Sequence, residues 1–274
     1  MSGPRTTPGL WPALGVVIAA ALLAIGVLSL LWTPYPVDAA DIGAALQNPS
    51  AAHWFGTDPT GRDVLSLVMK GALASLWAGV GAVTIAAVVA LPLGFFAARW
   101  PRPTTLPEGA SASILGLFPA IICAMLLAAL LGPSAISLMI ALAIGNIAPL
   151  TLAVRSAAQL QSRGYVEAAR LAGLARGEAI RRHVLPQVAS LVGAEVAVLV
   201  GVGAVGEASL SYLGLGPGAP SISLGLLLSD AQAYIAAKPA LVVVPGLVLC
   251  LVVLCTRLVA SGLRARAEDR SWHN

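Results

Sequence analysis

Charge is what this sequence has least of. Only 10% of its 274 residues are Asp, Glu, Lys or Arg, where an ordinary soluble domain carries about 25%. Hydrophobic residues make up 58%, and the mean hydropathy is +0.89. That excludes a soluble globular domain and points to an integral membrane protein. Lysine occurs only as Lys70, after Met69, and Lys238, after Ala237. No Gly-x-x-x-x-Gly-Lys-Ser/Thr run is present, so the chain has no phosphate-cradling loop and is not expected to hydrolyse ATP. Gly-x-Ser-x-Gly and His-Glu-x-x-His are missing too, which removes two routes to a membrane enzyme. The three cysteines, Cys123, Cys250 and Cys255, sit in apolar segments without pairing or metal-ligand spacing. The pI near 9.3 does not imply nucleic acid, because the basic residues flank apolar spans and serve topology.

What is there is a series of charge-free runs. Leu10 to Trp32 is 23 residues long, about 34 Å as a helix, enough to span a bilayer. A cleaved signal peptide is the rival, but the run is long for one and its basic flank is only Arg5. Gly71 to Ala98 is the second span. Gly109 to Val154 holds 46 residues without a charge, room for two spans broken at Gly132-Pro133-Ser134. Val188 to Gly206 is the fifth and Pro239 to Thr256 the last. Residues 208–229 imitate a span, but Gly214, Gly216, Pro217, Gly218 and Pro220 break them. The expected fold class is an all-α integral membrane protein with six transmembrane helices and both termini cytoplasmic. This topology puts thirteen of the sixteen basic residues inside, leaving Arg62, Lys70 and Lys238 outside, as the positive-inside rule requires. The division is residues 1–70, with the first span and an outer loop, a core of five spans at 71–263, and a tail at 264–274.

One charged island interrupts this chain. From Arg155 to Arg182 it holds six arginines and two glutamates between apolar spans. Tyr165 to Ala172 is rich in helix formers, Gly173 interrupts the run and Pro186 limits it. A helix with the small face Ala168, Ala169 and Ala172 suits a groove on another protein; a solvated loop whose arginines only set topology is the alternative.

Glu167-Ala168-Ala169, Gly173 and Leu185-Pro186 resemble the EAA loop of ABC importer permeases. His183, where the general motif has Ile, gives Arg-His-Val-Leu-Pro, which is similar to the variant in dipeptide, oligopeptide and nickel permeases. Two further stretches resemble the same family. One is His53-Trp54-Phe55-Gly56-Thr57-Asp58-Pro59-Thr60-Gly61-Arg62-Asp63; the other is Glu207-Ala208-Ser209-Leu210-Ser211-Tyr212-Leu213-Gly214-Leu215-Gly216. The tryptophan that usually follows before the next glycine is missing ahead of Gly225.

The resemblance implies a type I ABC importer-like permease fold in the bacterial cytoplasmic membrane, with no cofactor in this chain and ATP and Mg held by partners. It implies a second permease, two cytoplasmic ATPases and an extracytoplasmic substrate-binding protein. Tyr165, Glu167, Ala168, Ala169, Gly173, His183, Leu185 and Pro186 are then the ATPase-coupling residues of a loop over 155–186. Gly56, Thr57, Asp58, Gly61, Arg62, Asp63, Glu207, Ser211, Leu213, Gly214 and Gly216 belong to the outer-loop signatures. Di- or oligopeptides are the expected cargo, with nickel or a metal chelate as the alternative.

From the residues themselves, the 53–66 stretch reads as a pinned loop, Gly56 and Gly61 allowing tight turns and Asp58, Arg62 and Asp63 available to pair, with a fold-locking or substrate-entry element as the alternative. His53 near Asp58 lacks the further ligands a metal site needs. Glu195, a carboxylate inside a span, is a possible pathway residue, with interhelical pairing as the alternative. An ion-coupled secondary transporter would need such acids, and only Glu195 and Glu207 qualify.

Overall fold

The computed structural model describes residues 10–98, 120–162, 185–218 and 220–272. These are helical apart from loops and one isolated antiparallel bridge, Thr57 to Asp63. In chain order the helices are α1 (Leu10–Leu31), α2 (Val64–Ala97), α3 (Ala120–Leu131), α4 (Ala135–Ser162), α5 (Leu185–Tyr212), α6 (Leu224–Ala231) and α7 (Ala240–Trp272). Among the described residues five helices, α1, α2, α4, α5 and α7, are long and apolar enough to cross a membrane. The expected third span begins at Gly109, so only its α3 portion, 12 residues, falls among the described residues.

The break at Gly132-Pro133-Ser134 is where the sequence puts it. Gly132 has φ +80°, a left-handed conformation that glycine adopts without steric cost. Ser134 and Ser137 then exchange hydrogen bonds, Ser137 N donating to Ser134 Oγ at 3.2 Å, and open α4. Other boundaries move. The second span starts at Val64, not Gly71, and the outer loop shortens accordingly. Asp63 caps it, its carboxylate accepting from Ser66 N at 2.9 Å, so polar residues as far as Lys70 join the helix. The fifth span extends to Tyr212, and the helix of the last span continues through Trp272, its charged end lying well past Thr256. Pro186 stands in the first turn of α5, where a missing N–H costs nothing, and the run it is expected to limit lies outside the described residues. Residues 208–229 do not span, because α6 has only 8 residues.

α2 is the hub. It packs along α4 and α5, touches α1, α6 and α7, and buries a column of small residues: Gly71, Ser75, Ala78, Gly79, Ala82, Ala86, Ala90 and Gly94. Lipid tails are as apolar as leucine, so helices in a bilayer associate through such close backbone approach. A Cβ on Gly79 would sit 2.5 Å from Val200 O of α5, and one on Gly203 would sit 3.0 Å from the Gly79 Cα. Several large side chains of α2 point the other way: Trp77, Val88 and Phe96 are exposed, as lipid-facing or partner-facing groups are. α1 lies outermost against α7 and α2, with Leu30 and Leu31 exposed at its end.

Gly79→Leu is expected to overpack the α2–α5 contact and cost about 1–3 kcal/mol. Gly246→Ala, on a helix face with nothing among the described residues within 4 Å, is the control and should leave stability unchanged or slightly raised. Thermal unfolding of both variants in the same detergent checks the difference.

Candidate functional site at the loop end of the bundle

The loop between α1 and α2, the C-terminal end of α5 and the short α6 meet at one end of the bundle. The first signature stretch is built around two aspartates with separate tasks. Asp58, 6% exposed, closes its own turn: Oδ1 accepts from Thr60 N at 2.8 Å, Thr60 Oγ1 at 2.7 Å and Arg62 N at 2.8 Å. Its Oδ2 accepts from Arg62 Nε at 2.8 Å, a charge-assisted bond. Asp63 instead caps α2 through Ser66 N and Oγ and faces His53 Nδ1 at 3.0 Å. So of the three expected pairing residues, Asp58 and Arg62 pair, and Asp63 turns to His53. Asp58 gives its oxygens to Thr60 and Arg62, and His53 lies against Asp63 instead. Among the described residues no group of three or more His, Cys, Asp or Glu can hold a metal.

The glycines of this stretch are needed for shape. Gly56 has φ +77° and Gly61 φ +80°. A Cβ on Gly61 would collide with the backbone oxygen of Asp41, so the two halves of the loop lie against each other there. Thr57 locks the same contact: its hydroxyl donates to Ala44 O and accepts from Gln47 N at 2.8 Å. These bonds and turns pin the loop against itself.

The second signature stretch ends α5. Leu215 N donates to Leu210 O at 2.9 Å and Gly214 N to Ser211 O at 3.0 Å, with Gly214 at φ +78°. That is the Schellman arrangement, and Leu215 packs against the cluster containing Leu210, as the motif favours. Leu213 stays exposed. Gly216 passes so close to Ser211 Oγ that no side chain fits. One turn earlier, Glu207 is 3% exposed. Ser211 Oγ donates to its Oε1 at 2.7 Å, and Ser75 Oγ, from the small-residue column of α2, donates to its Oε2 at 2.5 Å. Ser75 is the residue that sequence reading missed. It is 132 positions from Glu207, and only its place among α2's small residues hinted at a close neighbour.

Glu195 lies on the same helix but toward the opposite end. Its side chain is 24% exposed, and Arg264 Nη2 of α7 stands 3.4 Å from Oε2. This is interhelical pairing on a partly exposed surface, an interaction of small energetic weight. Of the coupling residues, Tyr165, Glu167, Ala168, Ala169, Gly173 and His183 lie outside the described residues; Leu185 and Pro186 open α5.

Asp230, at the end of α6, borders the Asp58–Arg62 pair. Burial raises its carboxyl above the ordinary value; Arg62 lowers it and Asp58 adds to the rise. The folded chain therefore binds this proton more tightly than the unfolded chain, and stability falls as pH rises from 3.8 through the raised value. Asp230→Asn should be more stable than the parent at pH 7 and lose that advantage below 3.8, as unfolding measured against pH will show. Asp58→Ala should cost about 1.5–3 kcal/mol, because several donors lose an ionised acceptor. It should also open the 33–63 loop to limited proteolysis, while Glu195→Gln leaves both readouts within about 0.5 kcal/mol of the parent.

Known proteins resemble this chain along most of its length. The family described as "Binding-protein-dependent transport system inner membrane component" matches residues 90–269. The dipeptide transport system permease protein DppC of Alkalihalophilus pseudofirmus is 33% identical over 257 residues, 93% of this chain and 84% of that one. The glutathione transport system permease protein GsiD of Pectobacterium atrosepticum is 30% identical over 262 residues, 93% of this chain and 87% of that one. Two solved structures share the fold. The first is an amino acid ABC transporter crystallised with histidines, with TM-score 0.56, 19% identity and coverage of 73% of this chain and 94% of that one. The second is the MetNI methionine ABC transporter in inward-facing conformations, with TM-score 0.55, 17% identity and coverage of 74% and 96%. The apolar helices and these matches lead to one conclusion: the chain belongs to the family of binding-protein-dependent transport system inner membrane components, as a multi-pass permease of the peptide-type ABC importers.

Proposed function

We propose that this chain forms one half of the translocation pathway of an ATP-driven importer for di- or oligopeptides. A second, related permease supplies the other half, two cytoplasmic ATPases supply the energy, and an extracytoplasmic binding protein delivers cargo to the loop end of α2, α5 and α6. Closure of the ATPases on ATP is passed through the Glu167–Pro186 segment into α5, whose first helical residue is Leu185. The bundle then switches between inward- and outward-open arrangements, ATP supplying the bias between two states. Hydrolysis takes place in the ATPases, with no cofactor in this chain.

The observation that carries this reading is the succession of three signatures along a helical bundle whose relatives include a dipeptide permease. Among the described residues, three buried polar atoms on α4, Asn146 Nδ2, Thr151 Oγ1 and Arg155 Nε, find no hydrogen-bond partner. Such groups are costly in one fixed state and fit a helix that exchanges neighbours between two. A second cargo reading, glutathione, is favoured by the GsiD relatives, one of them 33% identical over 227 residues. Glutathione is itself a small peptide, so the two share a chemistry. The nickel or chelate alternative rests on the shared signatures alone.

The experiment is uptake by the chain with its co-purified partners in proteoliposomes, comparing a radiolabelled dipeptide with glutathione, with and without internal ATP. ATP-dependent dipeptide uptake is expected. Uptake that ignores ATP and collapses with an ion gradient contradicts the proposal and turns attention to Glu195 and Glu207. Gly173→Val should abolish coupling, lowering uptake at least about tenfold while membrane insertion and yield stay unchanged. Full transport by that variant would remove the coupling role from this segment.

A further inference from the structure

Where α1 ends and α2 begins the structure holds a cavity of about 350 Å³, within the size range of small-ligand pockets. It is lined by Trp32, Tyr35 and Trp54, by Asp63, and by Leu65 and Met69 from the first turns of α2. Three features fix what fits there. The first is level. Trp32 directly follows the exposed Leu30 and Leu31 of a membrane-crossing helix, so the cavity sits where the apolar layer meets water, the height at which tryptophan and tyrosine collect. The second is charge. Residues 33–63 carry four aspartates against one arginine. Arg62 is already paired with Asp58, and the Asp63 side chain is 2% exposed, a buried negative charge beside the aromatic wall. The third is ring chemistry. Aromatic faces attract cations, most strongly where water is displaced.

We propose that this cavity seats the ammonium headgroup of a zwitterionic phospholipid from the adjoining leaflet. The cation lies among Trp32, Tyr35 and Trp54, attracted by Asp63, and the acyl chains run down the exposed apolar side of α1. The parts are held ready. Tyr35 OH donates to Ala52 O at 2.9 Å, and the Tyr35 ring lies 4.4 Å from that of His53. His53 Nδ1 and the Ser66 donors engage the Asp63 oxygens, but an ionised carboxylate has further lone pairs to offer. An anionic headgroup meets the same acidic loop and is repelled. The lipid thereby braces the start of α2.

Native mass spectrometry of the full chain, with whatever partners co-purify, released from nanodiscs of equal phosphatidylethanolamine and phosphatidylglycerol, tests this. The parent should retain phosphatidylethanolamine about tenfold over phosphatidylglycerol. Trp54 is 69% exposed on a loop, so its replacement leaves the fold standing. Trp54→Phe, which keeps an aromatic face, should keep most of the preference. Trp54→Leu, which keeps apolar bulk but no ring, should bring it near parity. Equal retention of the two lipids by the parent, or the same behaviour in the Phe and Leu variants, overturns the proposal. Displacement of the lipid by soluble phosphoethanolamine at matched concentration assigns the cavity to a water-borne amine and overturns the lipid source.

Discussion

Everything in this molecule depends on how closely α5 and α4 can approach α2. Inside a bilayer no hydrophobic force pushes helices together, so contact must come from backbone shape. The column from Gly71 to Gly94 supplies that shape, with Gly79 set closely against Val200 and Gly203 of α5 and Gly94 against Val154 of α4. With larger residues on that face the axes would separate, and each interaction built across the interface would be lost with them. α2 also sets the positions of α1, α6 and α7, which it touches along its length.

The polar groups of the bundle are spent where that approach allows. Ser75 meets Glu207 because the α2–α5 interface is narrow enough for a serine hydroxyl to cross it. A buried carboxylate needs such donors, since a polar group without a partner in a dry interior is costly. Glu207, Ser211, Gly214 and Gly216 then act in sequence: the acid holds α5 to α2, and the next turn stops the helix and turns the chain toward α6. On the other side, Asp63 starts α2 and Asp58 folds the loop that precedes it. The signatures at this end are therefore instructions for starting and stopping two helices at one level.

Hydropathy made the spans legible, because a charge-free run of twenty or so residues has few other stable fates. The break at Gly132 was legible for the same kind of reason, a positive φ that glycine tolerates. Helix ends were less so. Lys70 and Ser66 look like loop residues by polarity, yet the cap at Asp63 draws them into α2, and Arg257, Arg264 and Arg266 ride on α7 beyond its apolar part. The site was legible as motifs but not as contacts. Nothing local distinguishes Asp58 from Asp63 as the partner of Arg62 or His53, and nothing in the order of residues joins Ser75 to Glu207. Such pairings are settled by packing between distant segments. The family matches agree with the motif reading, whereas the coupling segment lies where the described residues give no geometry.

On the proposed function, this chain works as one of two permeases in an ATP-driven importer. The most direct measurement is a mild-detergent purification of the full chain from its native membrane, followed by mass spectrometry of everything that elutes with it. The account predicts an ABC ATPase, as one chain twice or two related chains, and a second permease. Elution of the chain alone, under conditions in which a control ABC complex survives intact, would contradict it.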